Sequence, residues 1–254
     1  MISLAGKAAL VSGGSRGIGA ATVKLFAQAG ADVVFNFRRD REAAHLVEQE
    51  AGKHGTRVEA MQADLRVADN SRKLVDFAIE RLGRLDIVVA NSGAWNSKDL
   101  PIEQMTERQW EDMMRVNLKS VYALVHFAVP AMIAQNAGRI IAISSTAGQR
   151  GEAYHSHSAA AKGGVISFVK ALSTELARHN ILVNGVAPGW VDTEMSRPVL
   201  GSKTGRKFVQ GQIPLGRPAT AEEIAGPILF LASDLATFMT GEILNVNGGS
   251  VLCG

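Results

Sequence analysis

The chain of 254 residues has a single cysteine, Cys253, so no disulfide can close within it. That fits a reducing compartment. It has no block of five or more basic residues, and its formal net charge is only +3. Nucleic-acid recognition usually needs a denser cationic footprint, so no nucleic-acid partner is expected. The opening stretch MISLAGKAALVSGG lacks a basic leader and a long unbroken apolar run, so no secretory signal is read there. The longest uncharged stretch, Ser120 to Gly138, contains His126, Pro130, Gln135 and Asn136. It reads as a buried helix rather than a membrane span, and a cytoplasmic protein without a membrane partner is expected. Internal repeats and low-complexity linkers are also missing, which leaves one domain over residues 1–254.

What is present is ordinary soluble composition, 46% hydrophobic and 20% charged, in a chain long enough to bury most of its unfolded surface. Short β-branched runs read as strands: 7–12, 31–37, 57–62, 85–90, 139–144, 181–187 and 242–247. Several are apolar almost throughout, as strands covered on both faces must be. Between them lie helical patterns near 17–29, 41–54, 69–82, 107–134, 156–178 and 220–232. Alternation of this kind predicts an α/β fold, a seven-stranded and mainly parallel sheet wound on both sides by helices. The longest segment without a pattern, about 192–220, is expected to be irregular and to form a lid or binding loop.

After the first strand comes SGGSRGIG, with Gly13, Gly17 and Gly19 spaced G-x3-G-x-G. Glycine suits this place because the turn from strand to helix needs unusual backbone angles and a phosphate must come close to the backbone. The helix that follows would offer free N–H groups to a pyrophosphate. Ser15, Arg16 and Ile18 complete the loop. A carboxylate is missing where NAD(H) would want one to hold its ribose, since the second strand ends in Phe37 followed by Arg38 and Arg39. With Arg16, these guanidinium groups could pair a 2′-phosphate, so NADP(H) is expected over NAD(H).

Further motifs follow in order: QADLR with Asp64 and Leu65, VANSGA (89–94), VNLKS with Asn117, Ser144–Ser145, Lys162, APGWVDTEM (187–195) and TGEILNVNGG (240–249). Together they resemble the short-chain dehydrogenase/reductase family over essentially the whole chain, most closely its 3-oxoacyl-carrier-protein-reductase-like and sugar- or alcohol-dehydrogenase-like members. The resemblance implies a doubly wound Rossmann fold and hydride transfer between a nicotinamide cofactor and a carbonyl or alcohol. It implies that Ser145 bonds the substrate oxygen, and that Lys162 binds the nicotinamide ribose and lowers the pKa of a tyrosine. Asn117 would hold a water linking Lys162 to solvent. Asp64 and Leu65 would flank the adenine, and Ala90, Asn91 and Gly93 would line the cofactor. The stretch Pro188 to Thr193, with Gly189 and Val191 within it, would hold the nicotinamide end.

The tyrosine is absent. It should stand four residues before Lys162 and thirteen after Ser145, and both counts land on Ser158 in HSHSAAAK. Residues 158 and 162 lie one helical turn apart on one face. An ammonium there would pull a phenol's pKa of about 10 toward neutrality, where a general acid works best. A serine hydroxyl is a far weaker acid and ends roughly 4 Å short of the phenol oxygen. Three accounts remain open: an engineered removal of the acid, a natural reductase with water or a neighbour as proton source, or a non-catalytic NADP(H)-binding protein. Tyr154 would share the face of Ser158 only if the helix began early, and reads as a substrate-loop wall. His155 and His157 read as substrate contacts or surface positions. No third ligand accompanies them, so no metal site is expected.

The stretch 164–179 has apolar residues on more than one face: Val165, Ile166, Phe168, Val169, Leu172 and Leu176. A surface helix needs only one apolar stripe. The other face would be covered by the chain itself or by a partner helix; a homotetramer is expected, as the family resemblance also implies, with a dimer as the alternative. The lid segment carries Arg197, Lys203, Arg206, Lys207 and Arg217. These cations could admit an anionic or phosphopantetheine-linked substrate, and the same composition suits a solvated, mobile lid, the preferred reading.

Overall fold

A computed structural model describes residues 2–253. Seven strands form its sheet: β1 (Ala8–Val11), β2 (Asp32–Phe37), β3 (Val58–Gln62), β4 (Ile87–Ala90), β5 (Gly138–Ile143), β6 (Ile181–Pro188) and β7 (Ile243–Val246). Their order is β3-β2-β1-β4-β5-β6-β7, and every neighbouring pair is parallel. The chain winds outward from β1 to β3, then restarts on the other side of β1 with β4. At this switch point the crevice beyond the strand ends opens between the two halves.

Strand periodicity divides the sheet into two cores. Ala9, Val11, Val33, Phe35, Ile87 and Val89 face one side, against α1 (Gly17–Gln28), α2 (Arg41–Gly52) and α10 (Ala221–Ala232). Leu10, Val34 and Val88 alternate to the other side. There they meet α3 (Ala68–Leu82), α5 (Ser120–Gln135) and α7 (Ser156–Leu176). Both faces are covered, which is why the strands read as continuous apolar runs.

The run 107–135 is one long helix in three parts: α4 (Glu107–Met114), a π turn (Arg115–Lys119) and α5. By length and apolar composition it could cross a membrane. Val121, Leu124, Val125, Ala128 and Met132 are instead buried in the second core. On α7, Val165, Val169 and Leu176 are buried, while Ile166, Phe168 and Leu172 are only partly covered.

Two expectations are corrected. The segment 192–220 is not irregular: it holds α8 (Arg197–Leu200) and α9 (Lys203–Gly211), following the short α6 (Thr146–Arg150) that caps β5. These two helices bury Leu200, Val209 and Ile213 in a small core of their own, with Trp190 packed on it. Arg206 pairs Asp192 at 2.9 Å at the start of this segment, and Arg217 pairs Glu223 at 2.6 Å at its end. Tyr154 precedes α7, which begins at Ser156, so it does not share a helix face with Ser158; it sits in the turn before the helix at φ +63 and is 54% exposed. His155 and His157 are not surface residues, since both are buried.

Candidate active site

The glycine loop lies at the tip of β1. Gly13 and Gly17 adopt φ values of +68 and +53, a region that side chains with a Cβ avoid. Arg16 occupies the N-cap of α1 without capping it by its side chain, so the first N–H groups of the helix stay free for an anion. Two asparagines hold the loop. Asn36 in β2 accepts from the Gly13 N–H at 2.9 Å and donates to the Ala63 carbonyl at 2.9 Å. Asn91, just past β4, donates to the Ser12 carbonyl at 2.9 Å. The switch point is therefore tied together by buried polar side chains as well as by packing.

From this loop a cleft of about 600 Å³ extends in both directions along the strand ends. At one end stand Arg16, Arg38, Asp64, Leu65 and Arg66. Partial burial pushes the Arg38 pKa down, and the charges of Arg39 and Arg66 push it further. A guanidinium crowded by like charge gains most from an arriving anion. Asp64 is held by Arg66 through bonds of 2.9 and 3.0 Å from Nε, which keeps its carboxyl below the usual range. Its negative charge is thus largely offset toward a phosphate. The tight glycine cradle, the uncapped helix start and this cationic end together fit a dinucleotide phosphate.

At the other end stand Ser145, Ser158 and Lys162, with Asn117 beside them. The Oγ of Ser145 accepts from the Ala147 N–H at 3.1 Å, which leaves its own hydrogen free for a ligand oxygen. Asn117 sits in the π turn, a device that recurs at functional sites. It is fully buried, accepting from the Ala94 N–H and donating to the Ala94 carbonyl, both at 3.0 Å. The Lys162 ammonium donates to the Ile143 carbonyl at 2.7 Å. The Ser144 hydroxyl fixes the backbone of the same residue, donating to the Lys162 carbonyl at 2.8 Å.

Burial alone brings the Lys162 pKa down from 10.5 to about 8. The charged form is therefore disfavoured in the folded chain relative to the unfolded one. Stability rises as pH climbs from about 8 toward 10.5, and the whole cost is present at pH 7. That cost is about 3 kcal/mol, from which a neutral replacement gives back about 1 kcal/mol with the lost hydrogen bond. Lys162→Met is expected to raise the melting temperature of the cofactor-free protein at pH 7 by roughly 5 °C, read by scanning calorimetry. An unchanged or lower melting temperature would show that Lys162 is not held at a cost.

Beside α8 and α9, on whose core Trp190 packs, stand two tryptophans. Trp95 stacks on His155 with centroids 5.3 Å apart, and Trp190 meets Trp95 at 5.5 Å with planes 85° apart. Both tryptophans line the cleft. Behind them, the ring nitrogens of His155 approach the Asn96 carbonyl at 2.8 Å and the Ala153 carbonyl at 3.2 Å. His157 has a buried Nδ1 with no hydrogen-bond partner among the described residues, and burial pushes its pKa down.

Most of the expected positions meet in this one cleft. Gly13, Ser15, Arg16, Gly17, Ile18 and Gly19 line it, as do Asn91 and Gly93. So do Pro188, Gly189, Val191 and Thr193 from the segment that ends β6. Arg39, Ala90 and Tyr154 are not part of its lining. Arg39 and Tyr154 are exposed, and Ala90 is buried in the second core. Asn36, Arg66 and Trp95 were not foreseen, and Trp190 was expected only within the stretch 188–193. The tryptophans had a signal, since each directly follows a small-residue motif at a strand's C-terminal end, SGAW after β4 and APGW at the end of β6.

A family model described as enoyl-(acyl carrier protein) reductase matches residues 13–250. The 3-oxoacyl-(acyl-carrier-protein) reductase FabG of Aquifex aeolicus is 36% identical over 248 residues, 98% of each chain. Among solved structures, carveol dehydrogenase from Mycobacterium avium, in complex with NAD, superposes with a TM-score of 0.92 at 30% identity, covering 98% of this chain and 99% of its own. A short chain dehydrogenase from Burkholderia cenocepacia, in complex with NADP, gives 0.90 at 30% identity, covering 97% and 98%. With the family model matched over residues 13–250 and relatives at 30–36% identity along nearly the whole length, the chain is a member of the short-chain dehydrogenase/reductase family, nicotinamide-dependent oxidoreductases of carbonyls and alcohols.

Proposed function

We propose that this chain is an NADP(H)-dependent oxidoreductase that interconverts a carbonyl and a secondary alcohol, with its proton transfer slowed because Ser158 stands in the acid's place. The observation that carries this reading is the convergence of Ser145, Ser158 and Lys162 at one end of a cleft whose other end is lined by Arg16 and Arg38. A nicotinamide bound there would supply or accept the hydride. Ser145 would donate its free hydrogen to the substrate oxygen. Lys162, anchored by Ile143, would keep two N–H bonds for the nicotinamide ribose. Asn117 would hold a water between Lys162 and solvent. Loss of one general acid lowers such a rate by about 10²–10⁴. The lid helices would cover the substrate, which is a small carbonyl or alcohol. Fluorescence of NADPH on binding, followed by its oxidation with a panel of ketones, tests the reading. Failure to bind NADPH would end it.

The preference for NADP(H) over NAD(H) rests on Arg38 and its crowding. Arg38→Ala is expected to weaken NADPH binding by roughly 10–100-fold, the worth of a charge-assisted bond, and to leave NADH binding nearly unchanged. Equal losses for both cofactors would assign Arg38 a structural role only. A second reading, a non-catalytic NADP(H)-binding protein, is favoured by Ser158 alone. We read the protein as a cytoplasmic homotetramer. Tyr122 on α5 is 47% exposed and stands edge to face with the partly covered Phe168 of α7, an apolar surface suited to a second copy. Sedimentation showing only monomer would contradict this.

A further inference from the structure

We infer that Trp95 and Trp190 form a ring-binding corner, and that the substrate class is a ketone or secondary alcohol with a flat apolar ring next to the reacting carbon, rather than a linear acyl chain. This rests on the oxidoreductase reading and names the substrate for its site. The two indole planes stand 85° apart with centroids 5.5 Å from each other. A third ring entering such a corner can stack on one plane while it meets the other edge-on, the two arrangements aromatic pairs prefer. An alkyl chain gains only buried area from the same walls.

The corner is prepared before any ligand arrives. His155 stacks behind Trp95 at an interplanar angle of 21° and is buried against the carbonyls of Asn96 and Ala153. Trp190 is set from its own side by the lid core of Leu200, Val209 and Ile213. Neither indole therefore has to surrender much rotational freedom on binding, which is where affinity is usually lost. The corner opens on the same cleft as Ser145 and Ser158, while the cationic residues Arg16, Arg38 and Arg66 lie at the opposite end. His155 is also the N-cap of α7, the helix that carries Ser158 and Lys162. A ring seated on Trp95 thus rests on a wall continuous with the catalytic helix.

The chain has three tryptophans, and the third, Trp110, lies on α4 outside the cleft. Protein labelled with 5-fluorotryptophan should give three fluorine signals, assigned by single Trp→Phe replacements. Acetophenone and 2-octanone, both eight-carbon methyl ketones, serve as probes, with and without saturating NADPH. Two aromatic contacts together are worth about tenfold in affinity. Acetophenone is expected to shift the Trp95 and Trp190 signals at a concentration about tenfold lower than 2-octanone, leaving Trp110 unmoved. Trp95→Leu should remove that preference, and Trp95→Phe should keep most of it. Equal response to the two ketones, a shift at Trp110 alone, or an undiminished preference in Trp95→Leu would overturn the inference. The signals need no turnover, and NADPH binding is read separately by its own fluorescence. A chain that fails to bind NADPH loses the functional reading, whereas one that binds NADPH without ring preference loses only this substrate class.

Discussion

Ser158→Tyr is expected to raise ketone reduction by NADPH at least tenfold, and by about 10²–10⁴ if the missing acid is the whole defect. NADPH affinity should change little. Ser158 lies near the start of α7, buried among its neighbours yet part of the cleft lining, one turn before Lys162. A tyrosine there projects from the same face as the lysine. The Lys162 ammonium is held in place by Ile143 and meets no carboxylate among the described residues, so its positive charge is free to act on a phenol. That charge favours phenolate and lowers the phenol's pKa from about 10. The sign for reduction follows: the phenol must carry its proton, so the restored rate should fall as pH rises through the lowered pKa. Steady-state rates of the variant and the parent chain across pH check both points. A gain places the loss at the acid. No gain, with NADPH still bound, would favour the non-catalytic reading.

The strands were legible because burial on both faces leaves a local mark. A run such as IVVA (Ile87–Ala90) needs no partner to be recognised, since its residues are apolar wherever they point. The glycine loop was legible for the same reason: its demands on the backbone are met by residues adjacent in the chain. What stayed hidden was set by contacts between distant segments. Asn36 reads as a polar interruption in FNF, yet it is buried because its amide joins Gly13 to Ala63. The helices α8 and α9 were obscured by Pro198, Gly201, Gly205 and Gly211, poor helix formers; Leu200 and Val209 are buried only by meeting each other, Ile213 and Trp190, while Phe208 stays exposed. His155 is polar and sits in a turn-rich stretch, so it looked like surface; the stack with Trp95, sixty residues earlier, is what buries it. The π turn at Arg115–Lys119 has no compositional sign at all, because RVNLK suits an ordinary helix equally well.

Gly19→Ala should abolish tight NADPH binding, weakening it at least 100-fold, because the change strikes the point where β1, α1 and the end of β4 converge. A methyl group on Gly19 would lie 2.1 Å from the Gly13 carbonyl oxygen and 2.7 Å from the Asn91 amide nitrogen. The first is backbone and cannot swing aside. The second is donating to Ser12 at 2.9 Å and to Gly13 at 3.3 Å, so moving it breaks the bonds that hold the loop. Forcing one methyl into so close a junction costs roughly 1–3 kcal/mol, and each of the lost hydrogen bonds costs about 1 kcal/mol more. Relief can come only by pushing the glycine loop outward, into the space a pyrophosphate would take. Binding should therefore suffer more than stability does. Gly52→Ala is the control: it ends α2, is exposed, and a methyl there meets nothing within 4 Å, so it should leave binding intact and stability within about 1 kcal/mol. NADPH titration and thermal melting of the two variants decide the matter, and a Gly19→Ala protein that binds NADPH as the parent does would remove this loop from the cofactor site.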